Sequence, residues 1–322
     1  MSGRSRTYYK TGAPFESPGL HNDFLLFGAV KIRPLVDIFE QMLRRHYNHS
    51  EERSLRSGVS PVPIDSALVG ALHVEYLRER DLGGDEHFHH TLFQTSTVDA
   101  LLEGKYEGDV SFAELGERGD FGLGTFDALD GEMICLDGTF YQVKADGQAY
   151  AVDKRARTPF AVVTIFEPDT SQTLSMPVDF EALCDHLDVV IGGRAVCAAI
   201  RVDGRFEYVK TRSVPRQQKP YPPLVDVVKN QPTFELHDVS GSLVGFRFPD
   251  YAQGLNVSGY HFHFITVDRS AGGHVLGCTL VRGELSIDHE GDLRLEVPPD
   301  VGLPTPDQSA AKGEALDRIE RE

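Results

Sequence analysis

Tryptophan is missing from these 322 residues, and cysteine is scarce, with four copies in all. Cys135, Cys184, Cys197 and Cys278 are far apart and form no CxxC pair. That spacing offers neither a disulfide framework nor a thiolate metal cluster, and reduced, buried thiols in a cytoplasmic protein are expected. Positive charge is also short. The 32 Lys and Arg against 49 Asp and Glu leave a net charge of −17. A surface of that sign repels phosphate backbones and anionic bilayers, so neither nucleic acid nor membrane is expected as a partner. No apolar run approaches the roughly 20 residues needed to cross a bilayer. The apolar stretch at residues 24–30 is short and has no basic segment directly before it, so no secretory signal is expected. No internal repeat or low-complexity tract interrupts the chain.

Apolar residues make up 40% of the chain, with 19 Phe and 11 Tyr, which is enough to fill a core. The length suits one large domain or two smaller ones. Three regions differ in texture. Residues 1–91 form the first. In it, Leu35, Ile38, Phe39, Met42 and Leu43 recur at helical spacing, as do Ile64, Ala67, Leu68, Ala71 and Leu72. A helical N-terminal extension is expected there. Residues 92–300 read mainly as strands and tight turns. Thr95 or Ser96 is placed to cap a short helix through Leu102, and Ser111 another through Leu115. Asp-Gly pairs at 137–138, 146–147 and 203–204 sit between alternating runs, the strongest short-range hairpin signal. Each predicts a two-stranded turn. Residues 160–166 predict a central strand, 178–190 and 224–230 predict helices, and further strands are predicted at 233–236, 243–248, 260–267, 274–282, 284–288 and 293–297. The third region, residues 301–322, is a charged, helix-compatible tail. The fold class is therefore α+β, with mainly antiparallel or mixed sheets and few helices.

The chemistry concentrates in Gly259-Tyr-His-Phe-His-Phe-Ile265. On a strand, side chains alternate faces, so His261 and His263 share one while Tyr260, Phe262 and Phe264 anchor the other. Two such imidazoles, about 7 Å apart at Cα, can grip one ion. A catalytic zinc with an open position needs a third ligand, and His274 is the candidate. A tight turn at Asp268-Arg269 pairs residues whose numbers sum to 537, which sets His263 opposite His274. A wider loop would carry His274 roughly 13 Å along the ladder, unless a bulge at Gly272-Gly273 curved the hairpin. His87, His89 and His90 also contain an HxH, but in a polar loop, where they are expected to be solvated. A cupin would follow its HxH with a Glu three or four residues on; positions 267 and 268 are Val and Asp. Carbonic anhydrase too holds zinc with three strand histidines, so the ligand set alone does not define a reaction.

Longer blocks do narrow it. Phe121-Gly-Leu-Gly-Thr-Phe-Asp-Ala-Leu-Asp-Gly-Glu-Met133, Lys210-Thr-Arg-Ser-Val-Pro215, Lys219-Pro-Tyr-Pro-Pro-Leu224, Val228-Lys-Asn-Gln-Pro232 and Gly259-Tyr-His-Phe-His-Phe264 followed by Gly272-Gly-His-Val-Leu276 resemble the alpha-acetolactate decarboxylase family. The blocks stand in family order over about residues 92–290. The resemblance implies a carboxy-lyase of two packed α/β sub-domains that turns 2-acetolactate into acetoin and carbon dioxide. It implies one zinc ion on His261, His263 and His274. It also implies a catalytic Glu132, an active-site Arg212, a substrate-binding Thr125 and a glutamate from the tail, for which Glu320 is the candidate by spacing, with Glu314 and Glu322 as alternatives. Residues 1–91 lie outside the resemblance; covering the core and pairing two chains as a homodimer are roles open to them. Two other readings use the same histidines: a zinc hydrolase or hydratase, and a metal-binding scaffold without activity. The scaffold needs neither Glu132 nor Arg212.

Overall fold

The computed structural model describes residues 90–193, 196–298, 301, 312, 313, 316 and 319. The helices expected near residues 35–43 and 64–72, together with His87 and His89, lie outside the described residues.

Two sheets dominate. The first carries β1 (Thr91–Thr95), β3 (Phe121–Thr125), β4 (Glu132–Leu136), β5 (Thr139–Val143), β6 (Ala149–Ala151), β8 (Ala161–Thr164) and β15 (Asp292–Glu296), in the order β15-β1-β8-β3-β4-β5-β6. All neighbours run antiparallel except β1 and β15. The small strands β2 (Val110–Ser111) and β7 (Arg157–Thr158) pair separately. The second sheet carries β9 (Thr170–Leu174), β10 (Val178–Asp179), β11 (Cys197–Arg212), β12 (Thr233–Phe248), β13 (Gly259–Thr266) and β14 (Gly272–Glu290). Its pairings β14–β11, β11–β12, β12–β13 and β13–β14 close into a ring.

Between residues 90 and 298 the described α-helices are α1 (Val98–Leu102), α2 (Phe112–Leu115), α3 (Phe180–Ile191) and α4 (Leu224–Val227). Their caps follow local chemistry. Ser111 and Glu114 form a reciprocal capping box on α2, and Asp179 caps α3, which ends at the left-handed Gly192 (φ 77°). The cap of α1 is Thr97, whose hydroxyl accepts from the Ala100 amide at 3.2 Å. Thr95 is still paired within β1 and Ser96 is left-handed (φ 63°), so the helix begins only after Thr97.

Asp137-Gly138 makes the expected two-residue turn, with φ of 52° and 71°. Asp146-Gly147 also turns the chain, inside a longer loop between β5 and β6. Asp203-Gly204 does not. It runs through the middle of β11, and Gly204 stands level with Gly241 of β12 and Gly283 of β14. A Cβ on Gly204 would lie 2.6 Å from the Arg282 carbonyl oxygen. Glycine is there for close approach of three backbones rather than for a turn. For the same reason the predicted breaks at residues 237–242 and 283 are absent, and β12 and β14 are single long strands.

The two sheets face each other across a shared core. Leu123, Ile134 and Leu136 from the first sheet meet Val244, Phe246 and Ile265 from the second. On the far side of the second sheet, α3 packs Leu183, Leu187 and Ile191 against Phe262, Phe264 and Leu280. Cys135 and Cys278 are buried, as expected; Cys184 and Cys197 are only half-buried, and all four are free thiols. No helix among the described residues is long and apolar enough to cross a membrane.

Replacement Gly204→Ala is expected to destabilise the protein by about 2 kcal/mol, the usual scale of overpacking where backbone cannot yield. Urea unfolding measures it; a change under about 0.5 kcal/mol would mean that the three strands do not converge at Gly204.

Candidate metal centre and active site

The β13–β14 hairpin sets the site. Thr266 and Ala271 close it, with the Arg269 amide bonded to the Thr266 carbonyl at 2.9 Å and Arg269 left-handed (φ 59°). This is the tight alternative, and it pairs His263 with His274, Phe264 with Gly273 and Ile265 with Gly272. His261 shares the face of His263, while Phe262 and Phe264 are buried in the α3-side core.

A bulge brings in the next residue. Lys210 pairs with Gly277, but Thr211 pairs with Val275 and Arg212 with His274, leaving Leu276 as the extra residue in β14. Without that residue Arg212 would face Val275. With it, Arg212, His274 and His263 lie side by side across three strands.

The first sheet adds the rest. Glu132 opens β4, paired with Thr125 at the end of β3. The link between them needs Gly131, which is left-handed and whose Cβ would meet the Val143 carbonyl oxygen at 2.2 Å. The Thr125 hydroxyl donates to the Gly131 carbonyl at 2.8 Å, so it holds that turn shut while its side chain lines the pocket.

These groups converge in one buried pocket. Glu132, Arg212, His261, His263 and His274 are each at most 8% exposed. The three imidazole centroids are 4.9, 5.1 and 5.5 Å apart. His261 Nε2 lies 3.1 Å from His274 Nδ1, and one nitrogen from each of the three rings lies within 4.8 Å of the others. A tetrahedral ion held at 2.0–2.1 Å sets its nitrogen ligands roughly 3.4 Å apart, so only small ring rotations separate this geometry from a coordinated one.

The protonation states agree with that fit. The Met133 carbonyl accepts from His263 Nδ1 at 2.7 Å, which fixes the tautomer and leaves Nε2 as the lone-pair nitrogen. That Nε2 is buried without a hydrogen-bond partner. Burial, and then the Arg212 charge, pushes His261 down to about 3. Burial, and then His261, pushes His263 well below its ordinary value despite the Met133 bond. Neutral imidazoles with converging lone pairs are what a divalent metal requires.

Beside them, Arg212 Nη1 donates to Glu132 Oε1 at 3.1 Å, and Glu132 Oε2 stands 3.5 Å from His263 Nε2. Arg212 Nη2 contacts the Ile319 carbonyl at 3.5 Å, and its Nε is buried with no acceptor among the described residues. Apolar side chains wall the remainder, among them Val98, Leu101, Phe160, Val257 and Ile319. Glu320, Glu314 and Glu322 lie outside the described residues. Ile319 and the Met133 carbonyl escaped sequence reasoning. The first sits in a featureless tail, and the second is a backbone atom with no residue signature.

His90 departs from expectation. It is half-exposed rather than freely solvated, and its Nδ1 bonds to the buried Asp288 at 2.5 Å. With Asp169 these form a second group of close donors, whose oxygens and nitrogens already serve one another and the His289 ring.

Comparison with known proteins agrees with this picture. A family model described as alpha-acetolactate decarboxylase matches residues 92–303. The chain is 50% identical over 212 residues to the alpha-acetolactate decarboxylase of Methylococcus capsulatus, covering 66% of this chain and 82% of that one. It is likewise 50% identical over 207 residues to that of Methanosarcina mazei, covering 64% and 72%. The crystal structure of alpha-acetolactate decarboxylase from Bacillus subtilis strain 168 superposes with a TM-score of 0.69 at 38% identity, covering 72% of this chain and all of that one.

Replacement Arg212→Ala strips the buried Glu132 of its guanidinium and is expected to cost about 3 kcal/mol of stability. Adding Glu132→Gln is expected to recover part of that loss. In urea unfolding, losses from Arg212→Ala and Glu132→Gln that simply add in the double variant would show that the pair is not coupled.

Proposed function

The chain belongs to the alpha-acetolactate decarboxylase family, and from that premise we propose that it is a zinc-dependent carboxy-lyase converting 2-acetolactate to acetoin and carbon dioxide. In this reading residues 92–300 form the catalytic region and the tail completes its pocket. The observation that carries it is the meeting of three buried imidazoles with a buried Arg–Glu pair in one apolar-walled cavity. A metal store needs no such pair.

2-Acetolactate is a β-keto acid with a tertiary hydroxyl. When its C–CO₂ bond breaks, the electron pair moves toward the neighbouring ketone, so no thiamine or pyridoxal group is required. His261, His263 and His274 would hold the ion, and zinc bound there supplies a Lewis acid for the oxygen on which those electrons collect. Arg212 orients the substrate. Its Nη1 is spent on Glu132, and its buried Nε–H remains to meet a substrate oxygen. Thr125 contributes to the wall beside it.

Glu132, having first taken a proton from solvent, then passes it to the carbon that lost carbon dioxide and is left as a carboxylate beside Arg212. Arg212 holds one carboxylate oxygen and leaves the other facing His263 and the pocket. Val98, Leu101, Phe160 and Ile319 keep bulk water off, so the proton arrives from one side and acetoin forms as a single enantiomer. The tail glutamate, with Glu320 as candidate, would share this task. The free thiols fit a cytoplasmic enzyme.

The purified protein is expected to carry one zinc per chain by elemental analysis and to release acetoin from 2-acetolactate. A chelator should stop turnover, and added zinc should restore it. His263→Ala should lose both metal and activity. Glu132→Gln should keep the metal and lose about 10²-fold or more in kcat. Acetoin production undiminished after complete metal removal would overturn the zinc reading, and wild-type kcat in Glu132→Gln would remove that residue from proton delivery.

A further inference from the structure

The tail crosses the pocket at one point and is tied down at another. Ile319 lines the cavity, and its carbonyl meets Arg212 Nη2. Leu316 and Ile319 are at most 4% exposed, in a cluster with Leu101, Leu102, Phe160, Val214 and Val257. One turn before Leu316, Lys312 Nζ reaches Glu103 Oε1 at 2.7 Å and Asp99 Oδ2 at 3.4 Å. Both carboxylates belong to α1 or its C-cap. The flanking residues of that helix, Val98 and Leu101, form part of the pocket wall.

We propose that Lys312, clasped by Asp99 and Glu103, is a positioning residue that latches the C-terminal segment over the active-site pocket. The pair differs from ordinary surface ion pairs. The Asp99 side chain is only 6% exposed and that of Lys312 is 29% exposed, so solvent screens them less than a typical exposed pair. Burial pushes the Asp99 carboxyl up, and the Lys312 charge is the main influence that opposes it. Removing Lys312 therefore leaves a carboxylate that burial disfavours, and takes from the tail's described residues the ion pair that acts beside Leu316 and Ile319.

The latch acts on binding rather than on the chemical step. With the segment seated, the Ile319 carbonyl steadies Arg212 and the Ile319 side chain closes the apolar wall. With it unseated, substrate must supply the free energy of closure, which raises KM, while the filled site reaches the same arrangement and a similar kcat. The kinetic part of this inference rests on the proposed acetolactate turnover; the seating of the tail does not.

Two measurements on the full-length protein test it. The first is hydrogen exchange of the C-terminal peptide, followed by mass spectrometry without substrate. Lys312→Met should exchange that peptide faster than the parent. Lys312→Arg should retain protection, and the charge swap Lys312→Glu with Glu103→Lys should regain it. The second is steady-state turnover of 2-acetolactate. Lys312→Met should raise KM about fivefold, with kcat within about twofold, and added salt should raise the parent's KM toward the variant's. Unchanged exchange in Lys312→Met, or a charge swap no better than its single variants, would overturn the latch. Absence of acetoin from the parent protein would instead overturn the assigned reaction, leaving the exchange result to decide the latch alone.

Discussion

The register of one hairpin holds this site together. Side chains on a strand alternate faces, so a slip of one residue between β13 and β14 would turn His274 away from His261 and His263. The chain fixes that register with a short loop whose polar groups serve one another. Asp268 accepts from the Thr266 hydroxyl at 2.6 Å and from the Ser270 amide at 3.1 Å. The second determinant is the extra residue, Leu276, that brings Arg212 level with His274. Phe262 and Phe264, locked in the core behind the strand, keep the histidines pointing forward.

Burying five ionisable side chains together is costly, and the fold offsets that cost in two ways. His261 and His263 stay neutral, because burial and the nearby guanidinium both disfavour their charged forms. Arg212 and Glu132 offset the cost of their burial by pairing with each other. A contrasting solution sits at the end of β14. There Glu290 is buried near Asp288 with no ion pair among the described residues, and burial with that neighbour pushes its carboxyl up to about 9, which favours its protonated form. The same residue type meets a guanidinium in one place and another carboxylate in the other.

Local signals in the sequence were reliable where the cause of a structure is local. Asp137-Gly138 needs two left-handed residues and turns as expected, and Ser111 with Glu114 caps α2 as expected. The same Asp-Gly pair at 203–204 misleads, because glycine also serves where backbones crowd, and only the neighbouring strands reveal which use applies. The cap of α1 moves to Thr97 because Ser96 is left-handed where the chain leaves β1. His90 binds Asp288, a partner 198 positions away that no local pattern marks.

The histidine triad was legible because alternation along one strand and the count across one short turn are both short-range arithmetic. The amino-acid order alone therefore determined the α+β class, the shared face of His261 and His263, and a register that admits His274. Everything that makes these residues a site came from chain segments far apart. The Met133 carbonyl that sets the His263 tautomer, the bulge that delivers Arg212, the meeting of Glu132 with Arg212 and the Ile319 wall each join separate segments. Only the packing of the two sheets and the tail could decide them, because burial and charge pairing depend on neighbours in space, which sequence order does not contain.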